Sequence, residues 1–74
     1  MKNSDLVNLK GNIEEILAAG FFRVRGIDGT LVLAKARGKL RRAAQRLMVG
    51  DTVIVQLSPQ DLTTGLISEI HGKP

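Results

Sequence analysis

Chemistry that moves protons or holds metals asks for side chains that this sequence hardly supplies. The one histidine, His71, lies in the last four residues of a 74-residue chain, a segment expected to fray, where nothing orients an imidazole. Glu14 and Glu15 are adjacent in an alternating stretch, which predicts opposite faces and so no carboxylate pair on one substrate. Asp51 and Asp61 are expected at a strand start and in a loop, where carboxylates bond local backbone N–H groups. Gly38, Lys39 and Leu40 lack the Ser or Thr and the spacing of a phosphate-binding loop. With no cysteine there is neither a disulfide framework nor a thiolate zinc site. The sequence therefore predicts no enzyme, no metal and no cofactor.

The cations carry the other possible chemistry. Arg37 to Arg46, RGKLRRAAQR, holds five basic side chains in ten residues. From Arg23 to Arg46, eight Lys or Arg face one acid, Asp28, a local balance of +7; the remainder is −3, and the whole chain +4. Such polarisation is the footprint of a polyanion partner, because neutralising phosphates releases condensed counterions. The candidate binding residues are Arg23, Arg25, Lys35, Arg37, Lys39, Arg41, Arg42 and Arg46. Only Phe21 and Phe22 are aromatic, whereas binders of single strands stack successive bases on several rings. A phosphate-dominated contact with folded RNA fits better, and charge alone leaves duplex DNA open.

Positioning these side chains needs strands and a short helix. Val7, Leu9 and Ile13 alternate with polar residues across Leu6 to Leu17, a half-buried strand in which Gly11 marks a bulge or a barrel corner. Phe22 and Val24 oppose Phe21, Arg23 and Arg25 in the next strand, and the Asp28-Gly29 pair turns it into a third, Leu31 to Arg37. A hairpin so formed brings Arg23, Arg25, Lys35 and Arg37 near one another if its register puts them on one face.

Leu40, Ala43, Ala44, Leu47 and Met48 then recur at helical spacing, predicting an amphipathic helix of two or three turns between Gly38 and Gly50, apolar stripe inward and basic stripe outward. Val53, Val55 and Leu57 alternate in a fourth strand ended by Pro59. SPQDLTTG reads as a polar loop, Leu66 to Ile70 as a short fifth strand, and His71 to Pro74 as a tail. Three strands, a helix and two strands define an all-β class: a five-stranded OB-fold barrel with one short helix between strands three and four. The expected layout is a single domain over 1–74, structured over about 6–70, with flexible termini. No stretch approaches the roughly 20 apolar residues of a membrane span, and MKNSDLVNLK lacks the apolar middle of a signal peptide, so a cytoplasmic protein is expected.

Phe22 to Val24 (FRV), Gly38 to Arg42 (GKLRR), Gly50-Asp51 and Leu57 to Gly65 (LSPQDLTTG), taken in order, resemble bacterial translation initiation factor one, without a gap from about Leu6 to Ile67. The resemblance implies the same OB barrel and a target: rRNA of the small ribosomal subunit at the aminoacyl-tRNA site near the decoding centre, shared during initiation with initiation factors two and three. It further implies that Lys39, Arg41 and Arg42 enter an rRNA minor groove, with Arg46 and Arg23 as supporting phosphate contacts. Three departures stand out. Lys35 replaces a common histidine, Ala43 and Ala44 replace a polar residue and an aromatic, and Leu66, Glu69 and Ile70 stand where the family tends to basic or aromatic residues. The last strand is therefore expected to make no RNA contact, as in a divergent paralogue or an engineered variant. The leading expectation is a monomer that binds rRNA and no membrane; the rivals are a general RNA chaperone and a protein-interaction barrel with an acidic partner.

Overall fold

A computed structural model describes residues 6–72. Five strands, β1 (Val7–Ile16), β2 (Phe21–Gly26), β3 (Leu31–Ala36), β4 (Thr52–Ser58) and β5 (Asp61–Gly72), close into a barrel in the order β1-β2-β3-β5-β4. One α-helix, α1 (Arg41–Ala44), lies between β3 and β4, entered through a 3-10 turn at Gly38–Leu40. This is the OB architecture. All neighbours are antiparallel except β3 and β5, which close the barrel in parallel.

Alternation builds the core. Ile13 of β1, Phe22 and Val24 of β2, Val32 and Ala34 of β3, Val53, Val55 and Leu57 of β4, and Ile67 of β5 all point inward. Ala44 and Leu47 join them from the helical segment, with Leu40 packed partly against the cluster. These side chains supply the hydrophobic driving force of a chain too small for a second core.

Two glycines let single strands serve two neighbours. Gly11 pairs with Gly26 on one side and Val53 on the other, and a Cβ there would lie 2.6 Å from the Arg25 carbonyl oxygen. Gly65 pairs with both Ala34 and Leu57, and a Cβ there would lie 2.6 Å from the Gln56 carbonyl oxygen. Neither position has room for a side chain. The bulge itself falls beyond Gly11, between Ile13 and Glu15.

Three expectations need correction. The polar stretch after Pro59 is not a loop: β4 and β5 meet in a turn of two residues, and β5 runs twelve residues from Asp61 to Gly72. Asp61 holds its start, accepting from the Thr63 N–H at 3.0 Å and the Thr64 hydroxyl at 3.0 Å. His71 is accordingly in a strand, 3.0 Å from a Glu69 oxygen; the expected flexibility of residues 1–5 and 73–74 lies outside the described residues. The helix is one turn of α, not two or three, and its apolar stripe is narrower than the sequence period implies. Leu40, Ala44 and Leu47 face the core, while Ala43 and Met48 are exposed. Finally, Glu14 and Glu15 share the outer face, because the bulge at Glu14 cancels one step of alternation.

Candidate nucleic-acid interface

The hairpin register answers where the strand cations go. Phe21 opposes Lys35, Arg23 opposes Leu33 and Arg25 opposes Leu31, so Phe21, Arg23, Arg25 and Lys35 all lie on the outer face. Lys35 also opposes Leu66 of β5 and holds its ammonium 5.4 Å from the centre of the Phe21 ring, within cation–π range. The hairpin is closed by the Asp28 carboxylate, which accepts from the Thr30 N–H at 2.9 Å; that bond holds the Asp28 carboxyl below its ordinary range.

Arg37 follows the end of β3, its N–H bonded to the Ile67 carbonyl at 3.2 Å, and its own carbonyl accepts from Leu40 N–H at 2.8 Å. These two bonds set where the helical segment leaves the barrel. With Leu40, Ala44 and Leu47 turned inward, Lys39, Arg41, Arg42 and Arg46 are all exposed. The segment ends where the Asp51 carboxylate accepts from Met48 N–H at 2.9 Å, beside Gly50 at φ 99°.

A groove of about 660 Å³ runs between this segment and the connection from β1 to β2. Lys35, Arg37, Arg41 and Gln45 supply its polar atoms, Phe22, Ala44 and Leu66 its apolar ones, and Gly20 and Gly38 open backbone. Ala19, also on the groove, is held in the left-handed region at φ 61°, a conformation unusual for a residue with a Cβ.

Six of the eight cations predicted from sequence thus gather at one end of the barrel. Lys35, Arg37 and Arg41 line the groove, and Lys39, Arg42 and Arg46 are exposed on the helical segment outside its lining. None of these six forms an ion pair with a described carboxylate. Arg23 lies farther along β2, with its Nε 3.2 Å from a Glu15 oxygen. Arg25, the eighth, sits near the hairpin turn, held in two directions: Nε and Nη2 donate to the two Glu14 oxygens at 3.0 Å each, and Nη1 donates to the Gly29 carbonyl at 3.0 Å. The hydrogen bond from Arg25 depresses the Glu14 pKa, and Glu14 in turn raises that of Arg25.

Sequence reasoning missed Leu66, Gln45 and the Ala19-Gly20 backbone as groove residues. Leu66 carries no alternation signal beside Gly65. Gln45 stands on the basic stripe without a charge of its own, so nothing in its type marks it as a groove residue. Among the described residues, no group of His, Asp and Glu is clustered to hold a metal ion, and no helix is long and apolar enough to cross a membrane.

Known proteins share this architecture and part of this sequence. A model of the RsgA N-terminal domain matches residues 10–67. The solution structure of translation initiation factor one from the Wolbachia endosymbiont strain TRS of Brugia malayi superposes with a TM-score of 0.70 at 30% identity, covering 92% of this chain and 80% of that one. The crystal structure of YjeQ from Thermotoga maritima superposes with a TM-score of 0.66 at 24% identity, covering 88% of this chain but 23% of that one, and so shares the fold of one part of a longer protein. With 30% identity to the Wolbachia factor along most of both chains, and the domain pattern over residues 10–67, the chain belongs to the OB-fold family of translation initiation factor one, as a divergent member that also carries the RsgA N-terminal pattern.

Proposed function

We propose that this protein is a monomeric, non-enzymatic, cytoplasmic initiation factor that binds rRNA of the small ribosomal subunit at the aminoacyl-tRNA site, alongside initiation factors two and three. The observation that carries the reading is the convergence of Lys35, Arg37 and Arg41 on one groove, with Lys39, Arg42 and Arg46 exposed on the adjoining segment and no described carboxylate paired to any of the six. Arginine's planar fork suits phosphates and base edges, and cations on a projecting segment can follow a helical RNA groove where a flat sheet cannot. One half-buried ring, Phe21, leaves little for stacking on successive bases.

The test is equilibrium binding of labelled protein to purified small subunits across a salt series. Six phosphate contacts predict a log–log slope of about −5. Arg41→Glu/Arg42→Glu should reduce the slope by about two and weaken binding by roughly 100-fold or more, each charged hydrogen bond being worth about 1.5 to 3 kcal/mol. Competition by ligands of the aminoacyl-tRNA site supports the site assignment. Equal affinity for an unrelated RNA of the same length would overturn it in favour of a general RNA chaperone.

A further inference from the structure

Glu14 and Glu15 have no part in the groove, yet each faces an arginine of β2. Their placement follows from the backbone: Glu15 is the direct cross-strand partner of Arg23, and Glu14 is the extra residue of the bulge, turned outward beside Arg25. Three donors of Arg25 are committed, two to Glu14 and one to Gly29. A phosphate would use the same fork that the Glu14 carboxylate fills. Both pairs are well exposed, with side-chain exposures between 41% and 59%, and exposed ion pairs add little to stability. A bulge that brings two acids to the only two arginines of β2 therefore calls for a role other than holding the barrel together.

We propose that Glu14 and Glu15 are specificity residues that occupy Arg25 and Arg23 as built-in phosphate mimics, confining the RNA footprint to the groove and the helical segment. The proposal rests on the RNA-binding reading above. With bare arginines, the hairpin would extend the basic surface from Lys35 toward the turn and give any duplex two further phosphate ligands. Sequence-independent affinity would then rise without any gain at the intended site, because phosphate contacts carry no sequence information. Filling the Arg25 fork and pairing the Arg23 Nε internally disfavours the unwanted contacts while leaving the groove cations open.

The experiment measures binding to small subunits and to an unrelated RNA duplex of about 20 base pairs across a salt series. It compares the native protein, Glu15→Gln, Glu14→Gln/Glu15→Gln, Glu69→Gln and the charge swap Glu15→Arg/Arg23→Glu, each first shown to melt cooperatively. Glu69→Gln changes net charge as much as Glu15→Gln does but lies on β5 beside His71. The expected result is a duplex slope steeper by about one for Glu15→Gln and about two for the double variant, with subunit selectivity lost in step. Glu69→Gln and the charge swap should keep the native slope. If Glu15→Gln and Glu69→Gln behave alike while the native protein still binds subunits, the masking role is overturned and the RNA reading stands. If no variant, nor the native protein, binds either RNA at low salt, both fall.

Discussion

At the residue scale, the carboxylates are held by donors that prefer them charged. The Arg25 guanidinium lowers the Glu14 pKa, the Thr30 N–H lowers that of Asp28, and the Thr63 hydroxyl, with its N–H, lowers that of Asp61. A group with a depressed folded pKa contributes stability above its unfolded value and loses it as pH falls through the folded value. The melting temperature should thus change little from neutral pH down to about pH 5 and decline below about pH 4, the ordinary carboxylate range. Thermal melts of the native protein and of Asp28→Asn/Asp61→Asn check this: the variant should be less stable at neutral pH and show a shallower acid decline. An equally steep decline would assign acid lability to other groups.

At the element scale, the helical segment separates a packed side from an exposed basic one by a few side chains. Leu47, 5% exposed, closes the barrel end, whereas its neighbour Met48 is 58% exposed. Leu47→Ala should cost about 2 to 5 kcal/mol and also weaken subunit binding, since the segment that carries Arg41 and Arg42 loses its anchor. Met48→Ala should stay within about 0.5 kcal/mol. Denaturant titration reads both.

The same segment shows what the sequence could and could not reveal. The first four strands and the Asp-Gly hairpin were legible because one buried face alternates with one wet face. The start of β5 was not, since Asp61 to Thr64 are all exposed and a strand at the open rim of a barrel has no buried face to leave a period. Ala43 and Met48 fit the helical period but stay exposed, Ala43 within the single turn and Met48 beyond it. The cations were visible by composition. Their division into clamped and open sets was not, because it depends on a bulge produced where β1 changes partners.

At the scale of the whole molecule, closure depends on pairings between distant parts of the chain. β1 needs β4, and β3 is bonded on its second edge only by β5. Such contacts are slow to form, because chain closure comes before the contacts that reward it. A chain ending at Gln60 lacks β5, leaves the edges of β3 and β4 unpaired, and omits Ile67, which is fully buried. It should show no cooperative melt by circular dichroism and rapid proteolysis, against a cooperative transition for the full chain. A cooperative melt in the shortened chain would mean that the first four strands suffice.

The parallel seam between β3 and β5 has a bearing on biosynthesis. As the polypeptide leaves its own ribosome in order, β3 must wait for the last strand, with its backbone groups bonded to water or to a chaperone in the meantime. The basic segment is therefore seated only after Ile67 emerges, since the Arg37 N–H has its acceptor on that residue. A nascent copy halted before that point presents its arginines on an unformed scaffold.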